Sequence, residues 1–414
     1  MDHDGRPERV LVTGFAVLLL TLALIVFSEH GYRATVGALK LFFEVVLPSL
    51  LPFFILSDVL LATGMVHFLG VFFEPLMRPL FNVPGVGSFV FSMGLAAGYP
   101  MDAVLTAKFR RQGLCTKVEA ERLLAFTNSA DPLFIFGAVA VGLFGHPELG
   151  VVLAAAHYAG GLLVGLTYRF YGRQGSGNPL AGQDPGSPRP GGILQRATAA
   201  LVAARKEDGR PLTKVLNQAI EEAMGTLFMI MSYMVLVAVL LRVLEATGLL
   251  PALIRPLAGL FPLLGLSPHL VDGAVQGLFE IDLGAAATAH AAAPLLQRLV
   301  VVSAIIAWSG FSVHAQVASV LAGTDISLKP YFVARVLHAL YAAGLTVVFL
   351  PLAGGELGAT GLPAALARDW LTAAGVPAVT VDGLGFGVLS AGGVLALLAA
   401  GALAGGLVAA RHRR

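Results

Sequence analysis

Leu123-Leu124-Ala125-Phe126-Thr127-Asn128-Ser129-Ala130-Asp131-Pro132 starts as apolar helix, then crowds four polar residues and a proline into its last six positions. Further along it is answered by Ile305-Ile306-Ala307-Trp308-Ser309-Gly310-Phe311-Ser312-Val313-His314-Ala315-Gln316. Positions 127 and 309 differ by 182, and Thr106-Ala107 and Thr288-Ala289 stand apart by the same 182. Upstream, Ala62-Thr63-Gly64 and Arg78-Pro79-Leu80 recur as Ala246-Thr247-Gly248 and Arg255-Pro256-Leu257. An apolar segment interrupted by Gly, Pro and polar groups, once in each half, marks a transporter site built from broken helices.

The composition places these segments in a bilayer. The chain is 57% hydrophobic and 13% charged over 414 residues, against about a quarter charged in a soluble domain. Eight apolar runs approach the roughly 20 residues that span a membrane: 10–27, 41–61, 123–144, 151–168, 227–241, 299–321, 331–350 and 384–410. The first has a basic start, Arg6 and Arg9, but no Ala-x-Ala site follows it, so it reads as a retained span. The single cysteine, Cys115, excludes an intramolecular disulfide framework and a cysteine-based zinc site. A net charge of +2 gives no support to nucleic-acid binding.

Positive residues near span ends stay cytoplasmic. Arg6 and Arg9, the run Lys108 to Arg122, Arg169 to Lys214, and Arg411-His412-Arg413-Arg414 can all lie inside under one threading, with both termini cytoplasmic. That threading leaves over 87–107 and 269–297, apolar stretches interrupted near their middles. We read them as re-entrant hairpins, because broken backbone at membrane depth survives only against protein or a water-filled cavity. They enter from opposite sides, which makes the halves an inverted repeat. The amphipathic stretches 65–81 and 249–264 precede them at opposite interfaces. The expected fold is all-α: about eight spans and two re-entrant hairpins. Its parts are an N-terminal span and outer loop (1–40), a first repeat (41–171), a Gly/Pro/Ser-rich cytoplasmic linker (172–214) with a short amphipathic helix, a second repeat (215–350), an outer loop (351–383) and a C-terminal span with a basic tail (384–414).

Four polar constellations are candidates for the site. Gly98, Tyr99 and Pro100 turn the first hairpin and free backbone groups for a ligand, with Asp102 a carboxylate at membrane depth. Thr127, Asn128, Ser129 and Asp131 surround the break at Pro132, and an ionisable residue there is costly to bury. Glu280 and Asp282, two residues apart in the second hairpin, suit a cation, a proton relay or sugar hydroxyls. Ser309, Gly310, Ser312, His314 and Gln316 form the matching break, where His314 titrates near neutral pH when unperturbed. The neutral and anion-binding groups are assigned to substrate; Asp102, Asp131, Glu280 and Asp282 are the ion-coupling candidates. Arg242 and Arg298, near span ends, read as snorkelling side chains, and Arg335 and His338 as weaker candidates. No metal site, no cofactor and no enzyme signature is expected. The partners are a small-molecule substrate, a coupling cation or proton and the lipid bilayer; a homo-oligomer is allowed.

Leu47-Pro48-Ser49-Leu50-Leu51-Pro52-Phe53-Phe54, Glu74-Pro75-Leu76-Met77-Arg78-Pro79-Leu80-Phe81 and Val83-Pro84-Gly85-Val86-Gly87 resemble the YlbJ, or SpoVV, family of sporulation integral membrane proteins. So do Gly98-Tyr99-Pro100, Phe126-Thr127-Asn128-Ser129, Pro132-Leu133-Phe134-Ile135-Phe136-Gly137, Gly277-Leu278-Phe279-Glu280 and Gly310-Phe311-Ser312-Val313. The resemblance covers about residues 10–350. It implies a nucleoside-recognition "gate" domain and a fold similar to the concentrative nucleoside transporters. It also implies a role in endospore formation, with movement of dipicolinic acid across the outer forespore membrane. Nucleoside carriers have Gly-Phe-x-Asn-Phe-Ser-Ser after the second hairpin; here Val313 and His314 replace the Asn and Phe, against nucleoside specificity. The expectation is therefore a secondary transporter working by alternating access. The alternatives are a membrane scaffold for the spore envelope, a nucleoside transporter and a membrane enzyme.

Overall fold

The computed structural model describes residues 7–172 and 192–352, and among them every regular element is helical. The first half holds α1 (Pro7–Val26), α2 (Ser28–Leu41), a π-helical turn at Phe42–Val46 that runs into α3 (Leu47–Ala62), and α4 (Met65–Phe81). It continues with α5 (Gly87–Ala97), α6 (Met101–Arg111), α7 (Lys117–Thr127), a π-helix at Leu133–Leu143 and α8 (Leu149–Tyr168). A linker helix, α9 (Ile193–Asp208), leads to α10 (Leu212–Ala246), α11 (Leu249–Ala258) and two short 3-10 turns. The second half closes with α12 (Val271–Phe279), α13 (Ile281–Ala289), α14 (Leu295–Trp308), α15 (Gly310–Leu321) and α16 (Leu328–Leu352).

The protein is an all-α polytopic membrane protein. Among the described residues four segments are long and apolar enough to cross a bilayer: α8, α10, α14 with α15, and α16. The number rises to six if two bent pairs, α1 with α2 and α3 with α4, each count as one span; they turn by 98° and 83°. The expected run 123–144 is two short helices parted by Asn128–Asp131. The run 384–410 lies outside the described residues. Helix α10 starts 15 residues before the apolar run 227–241, because its first turns carry the polar side chains that reach Lys108 on α6 and Arg210 in the connection from α9.

Both predicted hairpins form. Helices α5 and α6 are joined through Gly98-Tyr99-Pro100, and α12 and α13 through Glu280. The repeat also folds alike upstream. Thr63 and Thr247 hydroxyls each donate to the carbonyl three residues back, at 3.0 and 3.1 Å, and Gly64 and Gly248 both turn left-handed before α4 and α11. Sequence identity between the copies is thus carried by helix-ending geometry, which fixes chain direction before each hairpin.

The core lies where α16 packs between α8 and α14, with the second hairpin on α14 and the first hairpin on α7 and α15. Phe89, Met101, Leu105 and Phe109 belong to the same buried cluster as Leu299, Val302 and Ile306. The motif glutamate Glu74 and arginine Arg78 are structural: Glu74 accepts from Arg78 and from the Gly85 backbone N–H, and Arg78 also pairs with Glu119. Thr116 and Glu119 close a capping box on α7. Much of the basic run that set the topology is spent the same way. Lys108 holds Asp58 and Glu222 at 2.7 and 2.9 Å, Arg110 holds Asp325, and Arg122 donates to the Asn82 and Tyr171 carbonyls.

Cys115, in the loop between α6 and α7, is fully buried. Burial, with Glu119 beside it, pushes its thiol up to about 12. Since only thiolate reacts with maleimides, the folded protein is expected to remain unlabelled at pH 7.5 and to label after denaturation. Rapid labelling of the native protein would show that this loop opens.

Candidate substrate and coupling site

The two broken helices meet at one buried cation. Helix α7 ends at Thr127 and α14 at Trp308, so both present unsatisfied terminal carbonyls toward the centre. The Arg335 guanidinium, on α16 and fully buried, reaches both ends. It donates to the Ala125 and Asn128 carbonyls of the first break, the latter at 2.6 Å, and to the Ala307 carbonyl of the second at 3.5 Å. Each helix C-terminus carries roughly half a negative charge. Two of them offset the guanidinium without a carboxylate in direct contact.

The opposite charge is placed by the same logic. Asp102 lies in the first turn of α6, at a positive helix end, and is fully buried. Its carboxylate accepts from Asn128 Nδ2 at 3.0 Å and stands 3.4 Å from Thr127 Oγ1. Asn128 is therefore the bridge. Its side-chain amide serves Asp102, its side-chain oxygen accepts from the Tyr331 hydroxyl at 3.2 Å, and its backbone carbonyl accepts from Arg335. Ser309 Oγ lies near the Tyr331 hydroxyl without completing a bond, which leaves a buried hydroxyl to spare.

The two breaks differ in shape. The first is extended at Asn128 and non-helical to Asp131, whereas the second turns at Ser309, φ 69°, and Gly310, φ 68°. A Cβ on Gly310 would stand 2.9 Å from the Phe279 carbonyl, and its backbone conformation is left-handed, so glycine is required there. Gly98, φ 73°, has the same constraint: a Cβ would stand 2.9 Å from an Asp131 carboxylate oxygen. Ser309 in this region costs of order 1–3 kcal/mol, held by its surroundings.

The remaining candidates divide into three sets. Ser129 faces His157 on α8; its hydroxyl is 3.2 Å from Nε2, which also accepts the Ala130 N–H at 3.0 Å. That acceptor role puts the proton of His157 on Nδ1. His338 accepts from Arg335 on Nδ1 and so donates from Nε2 to the His157 carbonyl, at 2.7 Å. His314 donates from Nδ1 to the Gly310 carbonyl, packs against Trp308, Tyr331 and Phe332, and leaves Nε2 unpaired and buried. Gln316 reaches back to Ser312 at 3.5 Å.

Glu280 and Asp282 interact with each other, and Ser312 faces Glu280. Tyr99, from the first hairpin tip, lies within electrostatic reach of both and of Asp131, and its hydroxyl has no hydrogen-bond partner. The two hairpin tips therefore converge. Asp131 is also a helix cap, accepting the Phe134 N–H at 2.9 Å. Glu280 caps α13 through the Ile281 N–H at 3.0 Å. Among the described residues no three His, Cys, Asp or Glu side chains converge as metal ligands do. A cavity of about 480 Å³ opens on Glu280 and Asp282 and is walled by α2 and α10. The first-half residues Thr127, Asn128 and Ser129 are buried away from it.

Arg335, with Tyr331 beside it, is the hub of the site, although it lies outside both breaks. Arg242 lines the cavity, and Arg298 caps α13 through the Ala289 carbonyl at 2.6 Å and lies over the Phe144 ring, so Arg298 is not a free snorkelling side chain.

A nucleoside-recognition gate family matches residues 43–147, which end just past the first break. The sporulation integral membrane protein YlbJ of Bacillus subtilis (strain 168) is 45% identical over 339 residues, covering 82% of each chain. This chain belongs to the YlbJ family of sporulation integral membrane proteins. No solved structure matches it. Family membership and the gate domain support a membrane role like that of a transporter, since the matched region contains the first hairpin and the first broken helix.

Proposed function

We propose that this YlbJ-family protein is a secondary carrier that moves dipicolinic acid, or a similar small polar metabolite, across the outer forespore membrane by alternating access. The observation that carries the reading is the pair of broken helices tied through Arg335 between two converging hairpins. Polar backbone ends at membrane depth need such enclosure, and they supply groups that can exchange protein partners for ligand. The carboxylates and the acid have separate tasks. Glu280 and Asp282 take a proton or cation, and Asn128, Ser309, Ser312 and His314 meet the substrate.

By the positive-inside threading both termini are cytoplasmic, and the His146 turn and the 480 Å³ cavity face outward. The conformation is then open toward the second hairpin and closed around the first break. Gating by release of Lys108 from Asp58 and Glu222 on the other face follows from the same arrangement.

Labelled dipicolinate uptake by vesicles containing the protein tests the reading. Uptake above empty vesicles, driven by an inward proton gradient and lost in Glu280→Gln, is the expected result. No uptake under any cation gradient would leave the scaffold reading, in which changes at Asn128 and Glu280 are silent. Uridine uptake in preference to dipicolinate would return the protein to nucleoside transport.

A further inference from the structure

The 480 Å³ cavity is large enough for a small ligand, and its charges are sorted. Glu280 and Asp282 form the inner wall. His30 and Arg33 on α2, with Arg242 on α10, stand around the rest. Space is kept by small residues, Ala34 and Gly37 on α2 and Ala238 on α10. Helix α2 packs along α10, and this packing brings Arg33 to the same cavity as the second hairpin tip.

Both arginines are held loosely. Arg33 pairs with Glu29 at 2.5 Å, with the two side chains 77% and 71% exposed; Arg242 pairs with Glu245 at 2.7 Å, 49% and 52% exposed. Ion pairs in solvent contribute little, so either guanidinium can leave its neighbour for a better acceptor. A guanidinium fork fits a planar carboxylate at two points. An anion brought straight to Glu280 and Asp282 would meet repulsion that grows as water is excluded.

We propose that Arg33 and Arg242 form a capture site for the carboxylates of a small dianionic substrate, holding it at the cavity mouth before it reaches the second hairpin tip. The proposal rests on the carrier reading and adds residues that reading does not use. Capture outside the acids lets the anion wait until Glu280 or Asp282 is protonated. It also explains why a cavity lined by acids is flanked by two arginines from different helices.

Equilibrium dialysis of labelled dipicolinate against the purified full chain in lipid nanodiscs tests this, at low and at high salt. The double variant Arg33→Ala, Arg242→Ala is expected to raise Kd at least tenfold and to flatten its salt dependence. Arg33→Lys with Arg242→Lys should recover part of the affinity, which excludes misfolding as the cause. Arg111→Ala, an exposed charge at the far end of α6, should bind as the parent does. A double alanine variant with parental Kd, or a parent chain that binds no dipicolinate, overturns the capture site. Uptake by parent vesicles together with an unchanged Kd in the double variant would keep the carrier and discard the capture site. Arginine-dependent binding without uptake under any gradient would do the reverse.

Discussion

Arg335→Met is expected to lower the melting temperature of the detergent-purified protein by on the order of 10 °C and to abolish uptake. The substitution preserves volume and apolar packing, so the loss is electrostatic. It strips the Ala125 and Asn128 carbonyls of their donor and leaves the Ala307 carbonyl short as well. Each buried acceptor left unpaired costs about 1–3 kcal/mol. Removing one charge from a compensated buried group costs about 3–5 kcal/mol, and a domain of a few hundred residues loses about 2–4 °C per kcal/mol. Asp102 would also lose the counter-charge linked to it through Asn128. Arg335→Lys should fall between, since an ammonium keeps the charge but cannot span two helix ends with one planar fork. A melting temperature within a degree or two of the parent's would mean the two breaks are held together by something other than this side chain.

Asn128→Ala is expected to cut dipicolinate uptake by about a hundredfold while shifting the melting temperature less than Arg335→Met does. The backbone carbonyl that Arg335 uses survives the change. The side-chain links to Asp102 and Tyr331 do not. Two neutral or charge-assisted bonds of about 1–1.5 kcal/mol each amount to roughly a hundredfold if the ligand-bound state depends on both. Tyr331→Phe removes one of them and should cost about tenfold. Initial rates over a range of substrate concentrations check this. A parental rate in Asn128→Ala would make the bridge a packing device and favour the scaffold reading.

Much of this architecture is legible in the chain because membranes impose local rules. Apolar run length, the side on which arginine and lysine gather, and glycine or proline inside a run each report on a few consecutive residues. That is why both hairpins, both breaks and the amphipathic helices α4, α9 and α11 fall where the pattern puts them. The polar residues chosen from the breaks do cluster, with Asp102, Thr127 and Asn128 in one network. Reading Arg298 as a snorkelling side chain missed the Ala289 carbonyl that it caps, for a definite reason. A long basic side chain near a span end looks the same in sequence whether it faces headgroups, a cavity or a neighbouring helix terminus.

Sequence alone determined the duplication, the all-helical membrane class and the positions where each half must break. These follow from hydrogen-bond satisfaction in a solvent without water, which acts residue by residue. Only the tertiary structure decided which groups meet. Arg335 is one arginine in an apolar helix until α16 lies between α8 and α14, and Arg33 belongs to an ordinary polar helix until α2 packs on α10 and it lines the cavity that Glu280 also lines. Those assignments depend on Coulomb and hydrogen-bond contacts between residues far apart in the chain, such as the 210 positions from Ala125 to Arg335. Their strength is set by burial that no local pattern encodes.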